Sequence, residues 1–460
     1  MRKAQSLLAR LGLGNPRRRI PRHEVRFLGF ATLDPMGRPF AWRGEVFRGI
    51  YPESVELVHQ LFRSGLVREL VESGTFIETE LSDLQLDGFP LVLRHKRITA
   101  SLPTEWTASM LRDAALTILA VNRICNRHGF ELRDAHPYNV SFDRSTPKWI
   151  DPGSIGPRRE SWTAAAEFVD CGVVPLLFLQ RGELLEGYSV LMSERSLKIA
   201  SKPFRKSVLF ERFLGMIAET ADTFSDARID EEWIARMAAA RPAGSSIWGE
   251  YQHGESSPLE DLRPHPANRF SRFFQIADLV GAHARDAGTC LDLAGNVGLA
   301  SLVLSEAHPH LRCVNTDYDP EAIEKSYALL KAHPRFRVES YLLNFMLPMY
   351  VDSVARFRSD LVLALAVTHH LILTQGHKLD EVFEKIAAYS RKYVFVEFMP
   401  LGMWAGDPLN KPPVPEWYTA EWFERGFARQ FRLLEKRVIE SHTVAGVLEP
   451  HRVLFIGRLR

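Results

Sequence analysis

The stretch Leu291-Asp292-Leu293-Ala294-Gly295-Asn296-Val297-Gly298-Leu299-Ala300-Ser301 joins an acid, a run of small residues and an apolar segment. Small residues let a backbone approach a ligand closely, and a helix starting behind them turns its free amides toward it. The chemistry this suits is the gripping of a nucleotide-type cofactor. Asp317, 25 residues after Asp292, closes the next apolar segment. That is close to the ~20 residues at which dinucleotide folds place a ribose-binding acid, and two carboxylate oxygens match a vicinal diol. Thr368-His369-His370-Leu371 closes a further apolar segment. An imidazole titrates near neutral pH and suits proton removal from a hydroxyl. The Gly-x-Gly-x-x-Gly pattern of a dinucleotide-binding dehydrogenase is absent, since only Gly295 and Gly298 stand in the turn.

Such residues act together only if a scaffold brings strand ends to one edge. Residues 289–292 predict a strand, 300–307 a helix and 311–317 a second strand. Asp319 is expected to cap a helix through Leu330, with Pro320 in the first turn, where its missing N–H costs nothing. Residues 337–343 predict a third strand. Asp360 to Val367 is almost continuously apolar, as strands buried in parallel sheets are. A helix over 379–390, a strand over 393–398 and a terminal pair over 432–439 and 452–459 complete the pattern. Alternation of this kind predicts a doubly wound, mostly parallel α/β sheet. Ala294 fits its turn only if φ is negative there.

At 460 residues the chain is long for one domain, and 46% hydrophobic with 25% charged residues is an ordinary globular balance. A net charge of +2 argues neither for nor against nucleic acid. Cys125, Cys171, Cys290 and Cys313 lack metal-like or paired spacing, which points to a reducing cytoplasm. No apolar run reaches the roughly 18–20 residues of a membrane span. Residues 1–26 form a basic tail with Arg17-Arg18-Arg19, read as flexible, with a contact to phosphate or an anionic surface as the sharper alternative. Arg241-Pro242-Ala243-Gly244-Ser245-Ser246 and the polar run from Gly249 to Pro258 mark a linker over 241–272, dividing a domain at 27–240 from one at 273–460.

The C-terminal domain resembles class I S-adenosylmethionine-dependent methyltransferases, whose first strand ends in a glycine-rich turn. The matching positions are Asp292, Ala294, Gly295, Asn296 and Gly298, with Ala294 departing from the usual glycine. The resemblance implies S-adenosyl-L-methionine as cofactor and Asp317 as its ribose anchor. Glu339 and Asn344 are the adenine-side candidates; the acid expected near Tyr341 is absent. His369 and His370 are the catalytic candidates on the acceptor side. In the plainer alternative His369 shapes the cofactor pocket and His370 caps the next helix. Glu397 either meets substrate or is a buried, paired acid. His377 is too isolated to make a metal site, and Trp417, Tyr418 and Trp422 either stack an acceptor ring or pack amphipathically.

In the N-terminal domain, Asp134, Pro137 and Asn139 match the Asp-x-x-Pro-x-Asn catalytic loop of protein-kinase-like folds. Asp151-Pro152-Gly153, twelve residues after Asn139, stands at the metal-binding triplet. There one Asp accepts a hydroxyl proton while Asn139 and Asp151 would hold magnesium. Hairpin strands are expected at 140–142 and 148–150, behind a long helix over 105–128. No glycine-rich phosphate loop precedes Arg94, Lys96 falls in a strand that suits the hinge, and Pro152 and Leu132 replace the usual Phe and His. The resemblance therefore implies a degenerate α+β kinase-like domain, with Asn139 and Asp151 as metal ligands only if it is active.

Ser64-Gly65-Leu66, Glu105-Trp106, residues 112–116, 134–142, 291–301 and 364–371, and Tyr418-Thr419 fall in the order seen in one bacterial family of two-part methyltransferases that includes rhizobial host-specificity nodulation proteins. The resemblance covers most of residues 45–460. It implies a doubly wound seven-stranded Rossmann-like methyltransferase sheet preceded by a kinase-like domain. It also implies methyl transfer in the cytoplasm to a saccharide, lipo-saccharide or small-molecule hydroxyl. Two other classes stay open: a non-catalytic cofactor-binding regulator, and a nucleic-acid methyltransferase using the basic tail. The missing Asn-Pro-Pro-Tyr acceptor loop argues against the latter.

Overall fold

The computed structural model describes residues 18–28, 34–192, 271–350, 352–404, 406, 409 and 411–460. The basic tail up to residue 17 and the linker residues 241–270 lie outside the described residues. The chain divides into two compact units, one within residues 1–243 and one from 244 onward that also takes in 105–107 and 144–146.

In the first unit, alternating apolar residues make a five-stranded antiparallel sheet. Its order is Arg26–Phe27, Gly37–Trp42, Glu45–Ile50, Leu91–His95, Thr79–Leu81. The second and third strands meet at Arg43-Gly44, both with positive φ (50° and 83°), a two-residue turn whose twist matches the sheet. Phe40, Trp42, Phe47, Phe89 and Val92 bury one face. The expected long helix runs Ala108–Arg127, and the expected hairpin is Val140–Asp143 with Thr146–Trp149.

The second unit holds seven strands: β1 (Thr289–Leu293), β2 (Arg312–Asp317), β3 (Val338–Leu342), β4 (Ser359–Ala364), β5 (Ser390–Phe398), β6 (Phe431–Val444) and β7 (Val447–Leu459). They form one sheet in the order β3-β2-β1-β4-β5-β7-β6. The first five are parallel, while β7 is antiparallel to both its neighbours. The longer helices are α1 (Ser271–His283), α2 (Leu299–Ala307), α3 (Pro320–Ala332), α4 (Leu379–Tyr389) and α5 (Ala420–Gln430), with a short helical turn at Ser353–Phe357. Asp319 caps α3 as its position predicts, accepting the Glu321 N–H at 2.9 Å. The core gathers side chains from α1, α2 and the central strands, among them Ile276, Val280, Leu302, Leu361, Phe395 and Ile456. Each fully buried side chain of this size contributes roughly 1.5–3 kcal/mol.

Three expectations shift. The apolar run expected as strand through Val367 leaves the sheet at Ala364, because Ala366 takes φ 51°, which an extended ladder cannot hold. The linker expected to reach 272 gives way to α1 at Ser271. His370 opens a short π-helical turn, His370–Thr374, and does not cap α4, whose N-cap residue is Lys378. All four cysteines are buried, and none forms a disulfide. Among the described residues no helix is long and apolar enough to cross a membrane.

Candidate active site

At the carboxyl ends of β1, β2 and β4 a cavity of about 330 Å³ opens, at the low end of the range of ligand pockets. Asp292, Ala294, Gly295, Asn296, Asp317, Asn344 and His370 line it. Gly298 and His369, also singled out from the sequence, do not.

The β1 turn is held from below. Gly295 donates its N–H to the Thr316 carbonyl at 3.0 Å, and the Thr316 hydroxyl donates to the Asp292 carbonyl at 2.9 Å. Asn315, fully buried in β2, donates its amide to the Asn296 carbonyl at 2.9 Å and to Ser340 Oγ at 3.1 Å. A Cβ on Gly295 would sit 2.3 Å from Asn315 Oδ1 and 2.7 Å from the Asp292 carboxyl, so only glycine fits. Gly298, at φ 87°, is the N-cap residue of α2 and has no side chain to cap it.

Ala294 has φ 55°, which overturns the expectation of a negative angle; Asn296 follows at φ 54°. Asparagine visits this left-handed region readily, whereas alanine there is strained by its Cβ. Ala366, at the end of β4, carries the same strain and lines the same cavity. Strained backbone persists only where its surroundings impose it, and it concentrates at ligand sites.

Asp292 is buried and accepts the Ser301 hydroxyl on Oδ2 at 3.1 Å, while its Oδ1 is buried with no hydrogen-bond partner. Burial pushes its pKa up to about 7, with the nearby Asp317 charge adding to the rise and Ser301 opposing it. Asp317 accepts the Asn296 N–H at 2.8 Å and the Asp319 N–H at 3.0 Å. Burial lifts it to about 6 against those bonds. Asn344 turns the chain after β3, its Oδ1 accepting the Met346 and Leu347 N–H groups, both at 3.1 Å. Glu339 is buried in β3 and lines no part of the cavity.

The histidine pair is asymmetric. His369 is buried, and burial with the neighbouring His370, Arg452 and His451 holds its pKa far below the usual imidazole range. His370 is half-buried, faces the cavity and is lowered by burial. The rings lie 4.0 Å apart. His377 pairs with Glu381 at 3.3 Å, away from the cavity lining.

Glu397 is fully buried and paired, accepting from Arg452 Nη1 at 2.9 Å with Arg272 Nε at 3.8 Å. Sequence reasoning missed Arg272, which reaches the cavity wall, and Asn315. The legible signal for Asn315 was a polar residue inside an apolar strand. Trp417, Tyr418 and Trp422 meet edge-to-face or tilted and join Phe398 and Phe423. Tyr418 is buried, Trp422 half-buried and Trp417 exposed, so the group packs against α5 with its outer ring in solvent.

In the first unit, Asp151 Oδ1 forms an ion pair with Arg48 Nη1 at 2.9 Å and accepts the Gly153 N–H at 3.1 Å, and Arg48 also pairs with Asp34. Asp134 lies 3.0 Å from His136 Nε2. The Asn139 amide nitrogen is buried with no hydrogen-bond partner. Lys96 pairs with Glu78 at 2.8 Å and Asp143 at 2.9 Å.

The strand order of the second unit, its small-residue turn after β1 and the acid ending β2 define a doubly wound, mostly parallel α/β sheet with its cavity at the carboxyl ends of the strands. Across most of its length the chain is similar to nodulation protein NoeA of Rhizobium meliloti (strain 1021), 25% identical over 467 residues, 88% of this chain and 92% of that one. No family model matches the chain. Among solved structures it is similar to the bifunctional kinase-methyltransferase WbdD, at 20% identity over 44% of this chain and 42% of that one, with a TM-score of 0.30. It is also similar to the 16S rRNA methylase ArmA, at 15% identity over 46% and 96%, with a TM-score of 0.33. The chain thus spans less than half the length of WbdD.

Proposed function

We propose that the second unit transfers a methyl group from S-adenosyl-L-methionine to a hydroxyl of a saccharide or small molecule. The observation that carries this is a buried, unpartnered Asp292 oxygen in a cavity whose neighbouring strand ends in Asp317. A buried acceptor without a partner is costly unless a ligand donor meets it, and the ammonium of the cofactor's methionine end is such a donor. Asp317 spends one lone pair of each oxygen on a backbone amide, leaving acceptors for two ribose hydroxyls. Asn344, with Leu343 and Phe345 beside it in the cavity wall, suits the adenine. When bound, the cofactor supplies a methyl group already activated on a sulfonium.

The residues then have to orient two reactants, keep water out and take up one proton. His370 is the group for the proton. Its lowered pKa keeps the ring neutral at pH 7, able to accept from an acceptor hydroxyl. His369, packed against it at 42° and outside the cavity, holds its orientation.

The same reading assigns residues 27–240 to a degenerate kinase-like domain and 273–460 to the methyltransferase. Arg48 supports the degeneracy: its guanidinium occupies the carboxylate that magnesium would need. The tight Arg43-Gly44 turn leaves no glycine-rich loop there to cover phosphates. Four buried cysteines, none in a disulfide, suit work in the cytoplasm.

Calorimetry with S-adenosylmethionine on the wild type and on Asp317→Ala tests the cofactor assignment. Binding to the wild type alone is expected, and no heat from the wild type overturns it. Uptake of labelled methyl from extracts then finds the acceptor.

A further inference from the structure

Away from the cofactor turn, β6 and β7 bring together a group that the sequence did not reveal. Glu440 and His442 stand two apart on β6 and so share one face of the strand. His451 comes from β7. One ligand atom from each of the three lies within 4.8 Å of the other two, a grouping of His, Cys, Asp and Glu with no second instance among the described residues. We propose that Glu440, His442 and His451 bind a divalent first-row transition-metal ion such as zinc.

The backbone is shaped for it. Pairing steps from Glu440 opposite Arg452 directly to Ser441 opposite Pro450, so His451 is an extra residue with no partner across the ladder. A bulge of this kind re-aims a side chain that a regular strand would point elsewhere. His451 is buried, and its Nδ1 has no hydrogen-bond partner. His442 Nε2 already lies 2.6 Å from Glu440 Oε1. Trp404 packs its ring 5.1 Å from His442 and 5.0 Å from His451, shielding the pair.

The donor set fits the ion. Two imidazole nitrogens and one carboxylate oxygen are the three protein ligands of many open zinc and iron sites. Bonds of about 2.0–2.2 Å put ligand atoms roughly 3.3 Å apart, so the three side chains draw inward by rotation around the ion. Arg452 Nε donates to the other oxygen of Glu440 at 2.8 Å, leaving Oε1 for the metal and fixing its direction. Arg452 pairs with both Glu440 and Glu397, and Arg272 with Glu397. Arg452 thus runs on to Glu397, and Arg272 beyond it reaches the cofactor cavity. The ion therefore sits one chain of ion pairs from the wall of that cavity. The metal site stands independently of the methyltransferase reading.

Titration of the full, metal-stripped chain with zinc chloride and with cobalt chloride tests it, read by calorimetry, by the visible bands of cobalt and by quenching of tryptophan emission. One ion per chain is expected, with cobalt bands free of thiolate charge transfer because the cysteines are buried elsewhere. His442→Ala and His451→Ala should weaken binding at least about 100-fold. His442, with a 40% exposed side chain, tolerates the change even if the His451 variant fails to fold. Absence of wild-type binding at about 100-fold the protein concentration, or equal binding by a folded His442→Ala, overturns the proposal.

Discussion

Asp317 Oδ2 accepts the backbone N–H of Asn296 at 2.8 Å, so the acid that ends β2 also sets the turn that follows β1. One carboxylate holds the floor of the cavity and offers its free lone pairs to a ligand. Asp317→Asn keeps the shape but loses an acceptor and the charge. A hydrogen bond to a charged group contributes about 1.5–3 kcal/mol, so S-adenosylhomocysteine should bind about 100-fold more weakly to the variant. Calorimetry reads this directly, and unchanged affinity would remove Asp317 from the site.

Burial raises Asp292 to about 7 and Asp317 to about 6, well above the ~3.9 of an unfolded aspartate. Between those values the folded, ligand-free protein holds more protons than the unfolded chain. These two groups therefore make it less stable as pH rises from about 4 through about 7. Cofactor affinity moves the opposite way, because ionised carboxylates accept the ligand's donors more strongly than protonated ones. Melting curves from about pH 5 to about pH 8, with and without S-adenosylhomocysteine, should show a ligand-induced shift that grows with pH. A shift that shrinks instead would contradict the assignment.

Ala294 and Ala366 hold left-handed backbone beside the cavity. Glycine removes that strain, so Ala294→Gly should raise stability by about 1 kcal/mol despite the extra freedom of the unfolded chain. Urea denaturation measures it. A clear loss of stability would mean that the methyl makes contacts worth more than the strain it imposes.

His370→Ala should abolish methyl transfer once the acceptor is known while leaving cofactor affinity within about twofold of the wild type. His370→Gln, which keeps size without a base, should behave the same way. Retained turnover in either variant assigns proton removal to another group.

Arg48 joins Asp34 and Asp151, all three largely buried. Arg48→Met leaves two carboxylates without their cation and should cost about 3–5 kcal/mol. Adding Asp34→Asn and Asp151→Asn should recover much of it. The wild type should show no magnesium-dependent ATP hydrolysis. Hydrolysis that disappears in Asp151→Ala would show an active phosphotransfer site.

What the sequence revealed follows how local each signal is. The β1 turn, Asp317, the cap at Asp319 and most strand positions are written in neighbouring residues, through apolar runs and small-residue turns. The sign of φ at Ala294 is not written in its residue type; the turn it belongs to is tied to Asn315 and Thr316 of the adjoining strand. Which histidine of the 369–370 pair reaches the cavity depends on the π-helical turn they enter, and residue type does not encode that. Glu397 gains its role from Arg272 and Arg452, brought to it from distant segments. Arg48 and Asp151 meet in the same way across a hundred residues of chain. His451 needed the slipped register of β7 to join Glu440 and His442.

The position of β7 also has a consequence for how this protein is made. Among the described residues strand β6 pairs only with β7, and β7 fills the place between β6 and β5. A ribosome delivers β5 and then β6 first, at roughly 5–20 residues per second. Until Val447–Leu459 has emerged, β6 has no neighbour and the largely buried β5 presents an open edge to any passing strand. The sheet therefore closes late, by insertion rather than by growth at its rim. Nascent chains stalled shortly before residue 447 are the ones most exposed to mispairing.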